Sequence, residues 1–306
     1  MALRYAIVGV GGIGGYYGGC LAKAGCDVHF LFRSDYEYVK QSGMRVESVN
    51  GNFVLPNVNA YCTSQQMPLC DVVLVSLKTT TNGSLSQILP PLLHDKSIIV
   101  LIQNGLNIEA ELSAAIPGVA VAGATAFICT TKVGHGHIRH AAYGDLTMAG
   151  YCGNCSPLLQ LIAADFARAG VNVHLTDDIN TMRWKKLVWN IPYNGLTVVL
   201  NAATNELTFN PATRPLIIDL MREVVAAGCA CNASIADSFV DNMIDLTEKM
   251  MPYSPSMKID FDARRPMEIR TMYSNPISVA KAAGYIMAKT EVLEHQLLFL
   301  QSKNQS

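Results

Sequence analysis

The feature that most constrains this chain lies at its start. Tyr5 to Val10 reads as a short β-strand, and Ala6-Ile-Val-Gly9-Val-Gly11-Gly12-Ile13-Gly14 follows the pattern GxGxxG. A helical pattern, Tyr16 to Ala24, begins at once and ends at Gly25. In a strand–turn–helix setting the three glycines have separate tasks. Gly9 permits the tight turn, Gly11 lets a pyrophosphate approach the backbone, and Gly14 lets helix and strand pack closely. The phosphate then meets unpaired N–H groups at the helix N-terminus. The loop Gly9, Gly11, Gly12, Ile13 and Gly14 is therefore expected to bind a dinucleotide.

The rest of the first half repeats the strand–helix alternation. Val28 to Phe32, Val72 to Leu77, Ile98 to Ile102, Val119 to Ala122, Gly144 to Gly150 and Val171 to Leu175 suit strands, while Asn107 to Ala115 and Leu158 to Ala169 suit helices. This predicts a parallel α/β sheet. After about Thr176 strand signals nearly vanish, and Ile179 to Trp189, Pro211 to Ala227, Ser234 to Met250 and Ile277 to Gln301 carry a helical period. The expected architecture is an N-terminal Rossmann-type parallel-sheet domain over residues 1–176 followed by an all-α domain over 177–306, with ligands favouring the cleft between domains.

Composition excludes several classes. Of the 306 residues 50% are apolar and only 15% charged, so the chain is not disordered. A formal net charge of -1 gives no global field for nucleic acid or anionic membrane. Mean hydropathy is +0.23, yet the densest apolar runs, Asp71 to Lys78 and Ser97 to Ile102, are far shorter than a spanning helix and suit buried parallel strands. Nine scattered cysteines do not form a small disulfide scaffold and fit reduced thiols in the cytosol. The lone pair Cys152/Cys155 lacks a second ligand pair for zinc, so no metal is expected.

Cofactor choice is read beyond the second strand. Arg33 stands there, where NAD-binding folds usually place an acid for the ribose 2′-OH, and its guanidinium suits the 2′-phosphate of NADPH. The alternative is that Arg33 is a solvated strand end and Asp35 selects. Lys78 ends the third expected strand and points to the ligand crevice, unless it is an ordinary exposed lysine. Asn104, before Gly105, offers a donor and an acceptor to the nicotinamide side, unless Asn-Gly is simply a turn. Lys186, Asn190 and Asn194 are four apart and form one helical stripe among Trp184, Leu187, Val188 and Trp189. Such a stripe suits the wall of a polar cleft; the alternative is a solvated face. Pro192 lies within it and should kink or shorten the helix.

Taken together these elements resemble the ketopantoate reductase family over essentially the whole length. The matching motifs are Gly9-x-Gly11-x-x-Gly14, Arg33, Val-Ser-Leu-Lys78, Gln-Asn104-Gly105, Trp-Lys-Lys186-Leu-x-x-Asn190 with Asn194, and Ser256 ahead of Glu268-Ile. The resemblance implies NADPH-dependent reduction of 2-dehydropantoate to (R)-pantoate in pantothenate synthesis. It makes Lys186 the catalytic lysine and Glu268 the second essential polar residue. Asn190, Asn194 and Ser256 would hold the substrate, Arg33 and Lys78 the phosphate end of the cofactor, and Asn104 its nicotinamide side. Glu268 alone would otherwise read as a surface ion pair with Arg264, Arg265 or Arg270. The chain departs from the family at Pro192, at Arg270, at Ser274-Asn-Pro276 and at Ala288, which leaves open another branched 2-oxo acid or a β-hydroxyacid dehydrogenase activity. A non-catalytic NADPH-binding sensor is the reading from a different class. A homodimer through the helical domain, near Met287 to Leu300, is a further expectation.

Overall fold

A computed structural model describes residues 2–305. The chain divides into two compact units: Met1–Gln103 with Ile108–Ile179, and Asn104–Asn107 with Asn180–Ser306.

The first unit runs β1 (Arg4–Val8), α1 (Gly12–Lys23), β2 (Asp27–Leu31), α2 (Tyr36–Ser42), β3 (Met44–Ser48), β4 (Phe53–Leu55), β5 (Asn59–Tyr61), β6 (Val72–Val75), α3 (Leu85–Ile88), β7 (Ile98–Leu101), α4 (Ile108–Ala115), β8 (Ala120–Gly134), β9 (His137–Cys152), α5 (Ser156–Arg168) and β10 (Val173–Leu175). The strand order is β4-β3-β9-β8-β7-β6-β1-β2-β5, with β10 paired to β9. From β5 to β8 every neighbouring pair is parallel. The reason is visible in Val72-Val-Leu-Val75 and Ile98-Ile-Val-Leu101, whose residues are all buried. Alternate side chains go to opposite faces. Tyr5, Ile7, Leu74 and Val100 join the core on one face, and Ala6, Val8, Val75 and Leu101 the core on the other. From β1 the chain steps to β2 on one side and returns to β6 on the other, so β1 and β6 flank the topological switch point where open sheets of this kind bind ligands.

Two expected strands are much longer than their sequence signals. Val119 to Ala122 and Gly144 to Gly150 belong to β8 and β9, which form an antiparallel hairpin with register shifts at Phe127/Ile128 and Cys129/Thr130. The shifts break the alternation that a period-2 reading needs. The strands β3, β4 and β5 are only three to five residues long, too short to show a period, and lie outside the expected strands.

The second unit contains α6 (Ile179–Val199), α7 (Thr204–Phe209), α8 (Thr213–Ala230), α9 (Ser238–Glu248), α10 (Ser256–Asp262), a π-helical turn at Arg270–Ser274, α11 (Asn275–Ala282) and α12 (Ala288–Gln305). Its core gathers around Trp184, Leu187, Val188, Ile191 and Tyr193 of α6. Two expectations are revised here. Of the kink or shortening expected at Pro192, the shortening does not occur: α6 continues a further seven residues, to Val199. Burial on all sides holds it, and side chains cover carbonyls around the proline, with Tyr273 Oη donating to Ile191 O at 2.8 Å. The single helix expected over Ile277 to Gln301 is two helices. Gly284, at φ +83°, ends the first in a left-handed cap, with Tyr285 N donating back to Ala280 O at 2.9 Å. The second begins where the buried Glu223 carboxylate accepts from Lys289 N, Thr290 N and Thr290 Oγ1 at 2.9, 2.8 and 2.7 Å.

Candidate active site

In the first unit the glycine loop lies at the switch point. Gly9 has φ +102°, and a Cβ there would stand 2.6 Å from Leu77 N. A Cβ on Gly14 would meet Gly9 O at 2.2 Å and Ser76 Oγ at 2.3 Å. The Ser76 hydroxyl donates to Gly9 O at 2.6 Å, so the loops after β1 and β6 are locked together. Gly11 differs: a Cβ there would find nothing within 4 Å. The glycine assigned to pyrophosphate approach is thus the one with open space before it. Gly11 caps α1 without a side-chain bond, and no acid stands in the first turn, which includes Gly12 and Ile13. This end of α1 fits an anion.

Beyond β2, Arg33 is exposed. Asp35 is only 3% exposed and is fully engaged. It accepts from Lys132 Nζ at 2.6 Å, His135 Nδ1 at 3.0 Å, Gly136 N at 3.1 Å and Ser34 Oγ at 3.1 Å. Burial raises its pKa, but these donors outweigh it and hold the carboxyl below its usual range. Asp35 is thus fastened to Lys132 and to the turn at His135 and Gly136. Lys78 is half-buried and opens the turn Thr79–Ser84. Behind it, Gln103 Nε2 donates to Leu77 O at 2.7 Å and Asn82 Oδ1 at 2.8 Å. Ser76, Asn82 and Gln103 support this loop, a role that sequence reasoning missed; Ser76 and Gln103 gave a signal only as polar residues just past buried strands, and Asn82, inside the turn, gave none.

The second unit gathers the other predicted residues. Asn104 leaves β7 and joins the helical unit with Gly105 and Leu106. Its Oδ1 accepts from Asn190 Nδ2 at 3.2 Å. Leu106 N donates to Thr271 O at 2.9 Å, and Asn275 Nδ2 donates to Leu106 O at 2.8 Å. Gly105 has φ +105°, and a Cβ there would lie 2.5 Å from Thr271 Cβ, so Asn-Gly is a turn pressed onto the π-helical segment. Asn190 and Asn194 are 3% and 2% exposed, which removes the solvated-face alternative. Asn194 Nδ2 donates to Asn190 O at 3.1 Å, and its Oδ1 accepts from Met257 N at 3.0 Å. Asn194 therefore caps α10 in place of Pro255 and sets the position of the half-buried Ser256. Glu268 is 4% exposed and so lies below the surface, and Arg265 is engaged with Asp260 at 2.9 Å. The backbone carbonyl of Glu268 accepts from Met272 N at 3.2 Å at the start of the π-helical turn, a form common at functional sites. Lys186, half-buried, stands one helical turn before Asn190.

The departures have local reasons. Ala288 is the first residue of α12, a position that proline also suits, so its replacement by alanine is structurally neutral. Asn275 secures the Asn104 turn, and Ser274 Oγ bonds the Glu294 carboxylate. Arg270 is exposed within the π-helical turn. All nine cysteines are unbridged. Cys155 Sγ bonds Val121 O and Cys152 O at 3.3 and 3.1 Å, and Cys152 Sγ lies 3.3 Å from Ser113 Oγ. Among the described residues no cluster of three or more His, Cys, Asp or Glu side chains is arranged to hold a metal, and no helix is long and apolar enough to cross a membrane.

Comparison with known proteins identifies the family. Residues 5–152 match the family model "Ketopantoate reductase PanE/ApbA", and residues 178–301 match its C-terminal counterpart. A 2-dehydropantoate 2-reductase from Nostoc sp. is 47% identical over 99% of this chain and 97% of its own. The crystal structure of 2-dehydropantoate 2-reductase from Geobacter metallireducens superposes with a TM-score of 0.93 at 36% identity, covering 98% of this chain and 99% of that one. A D-mandelate dehydrogenase solved with NADH and anilino(oxo)acetate shares the fold at TM-score 0.89 but only 16% identity, over 99% of both chains.

Proposed function

The chain belongs to the ketopantoate reductase family of NAD(P)-dependent oxidoreductases, and from that premise we propose that it reduces 2-dehydropantoate to (R)-pantoate with NADPH, in pantothenate synthesis. The observation that carries the substrate side is the buried chain of bonds from Asn104 through Asn190 and Asn194 to α10, with Lys186 on the same helical stripe. The NADPH choice is supported by an exposed Arg33 beside an Asp35 that is already engaged.

When bound, NADPH supplies the hydride. Reduction of the 2-oxo group places charge on oxygen, and the Lys186 ammonium stabilises that charge and donates the proton. Asn190 and Ser256 orient the substrate's hydroxyl and carboxylate without adding negative charge. Asn194 supports Ser256 from behind and keeps a second amide proton for the same purpose. Glu268 accepts a hydrogen bond from the substrate hydroxyl or orients Lys186. Asn104 serves the nicotinamide side, while Gly9, Gly11, Gly12, Ile13, Gly14, Arg33 and Lys78 hold the phosphates. The reading includes a cytosolic location, supported by nine unbridged cysteines, and self-association through the helical unit, supported by exposed Val292, Leu298 and Phe299 on α12.

The test is a panel of branched 2-oxo acids compared by kcat/KM, with Lys186→Ala alongside. Ketopantoate should rank first. Lys186→Ala should lower kcat at least about a hundredfold while NADPH binding persists. Undiminished turnover in that variant would refute the mechanism, and preference for another 2-oxo acid would refute the substrate.

A further inference from the structure

Asp35 lies four residues past the end of β2, close to where Rossmann folds place the acid that takes a ribose 2′-hydroxyl. Here it is buried, and its two nearest charged or titratable partners, Lys132 and His135, both come from the tip of the β8–β9 hairpin. The same hairpin also presses on the phosphate loop. A Cβ on Gly12 would lie 2.9 Å from Thr130 O, and Thr130 Oγ1 donates to Gly12 O at 3.3 Å. One tip thus touches both the start of α1 and the segment that carries Arg33.

We propose that Lys132, assisted by His135, is a specificity-determining residue for the dinucleotide: it neutralises and holds Asp35, so that this acid neither takes a ribose 2′-hydroxyl nor repels a 2′-phosphate at Arg33. The proposal rests on the NADPH reading above. The charges favour it. With Lys132 in place, Lys132 and Asp35 cancel and Arg33 leaves a local charge of about +1; without Lys132, Asp35 cancels Arg33 instead. A dianionic phosphate responds strongly to that difference, and a 2′-hydroxyl does not. The buried position of Asp35, against a 32% exposed Lys132 side chain, keeps the pair from being fully screened.

The experiment titrates the full-length protein calorimetrically with NADP+ and with NAD+, and measures kcat/KM for NADPH and NADH beside it. Wild type should bind NADP+ more tightly. Lys132→Gln should lower the NADP+/NAD+ affinity ratio about tenfold, through NADP+, and the loss should shrink as salt is raised. Adding Asp35→Asn to that variant should restore the ratio to within about twofold, because the uncompensated charge is gone; a merely structural role for Lys132 would not be rescued by removing its partner. An unchanged ratio in Lys132→Gln, or no rescue in the double variant, overturns the proposal while leaving the NADPH reading intact. Wild-type preference for NAD+ overturns both. Should Lys132→Gln fail to fold, Asp35→Asn alone decides: the preference for NADP+ should hold or rise, and a tenfold fall would overturn the proposal.

Discussion

Gly11 and Gly14 belong to one motif but should fail in opposite ways. A methyl group at Gly14 would overlap Gly9 O and Ser76 Oγ at 2.2 and 2.3 Å, with Ile7 Cγ2 at 3.0 Å behind them. Relief requires moving the β1 loop and breaking the 2.6 Å bond from Ser76 to Gly9. Overpacking of this kind costs about 1–3 kcal/mol, and the lost bond about 1 more. Gly14→Ala should therefore lose about 2–4 kcal/mol, a fall in Tm of roughly 5–15 °C for a domain of this size. At Gly11 the backbone is extended, φ −89° and ψ −154°, and a Cβ meets nothing within 4 Å. Gly11→Ala should cost under about 1 kcal/mol, the usual loss at a helix N-cap. Its methyl group would instead occupy the space reserved for pyrophosphate and weaken dinucleotide binding at least about tenfold. Urea unfolding read by circular dichroism and calorimetric titration with NADP+ separate the two effects. Wild-type stability in Gly14→Ala, or wild-type affinity in Gly11→Ala, would refute the assignment of these glycines to packing and to ligand approach.

Three further outcomes are expected. Asn194→Leu should leave the buried Met257 N–H without its acceptor and cost about 1–3 kcal/mol, with faster hydrogen exchange at Met257, whereas Asn194→Asp keeps an acceptor and most of the protection. The carboxyl of Asp35 is held below its usual range, so its stabilisation is complete above the ordinary carboxylate range and is lost as pH falls through its lower folded value; Asp35→Asn should flatten the acid limb of a stability–pH curve, and an unchanged limb would contradict the anchor. Burial pushes the Cys20 thiol up to about 11 and the Cys70 thiol up to about 12, so at pH 8 iodoacetamide should label exposed Cys62 and Cys229 long before either, as mass spectrometry of peptides would show.

What was legible in the sequence is what depends on short range. The β1 strand, the glycine loop and α1 follow one another within twenty residues, and their periods and turn chemistry agree, so pattern alone places them. The same holds for β6 and β7, whose every residue is buried. The β8–β9 hairpin escaped notice because register shifts and threonines interrupt its alternation. Pro192 misled for a related reason. Local propensity says that proline ends a helix, but residues 187–198 of α6 are all buried and held by packing, with long-range bonds such as that from Tyr273 Oη to Ile191 O. No local rule contains that partner.

The site shows the same division more sharply. That Lys186, Asn190 and Asn194 share a helical face follows from spacing four, and the structure places them so. Spacing says nothing of what each amide touches. Asn190 reaches Asn104, eighty-six residues away, and Asn194 reaches the backbone of Met257, sixty-three away. Both contacts are long-range and one is to a main-chain group, which leaves no mark on side-chain composition. A similar blindness affects Asp35. On sequence it is an acid two residues late for a ribose; in the fold it is the fastening of a hairpin whose tip lies about a hundred residues further on. An acid near the end of the second strand is therefore weak evidence for NAD until the partners of its carboxylate are known, because a carboxylate already satisfied by a lysine, a histidine and a backbone amide has little remaining capacity to bind a hydroxyl.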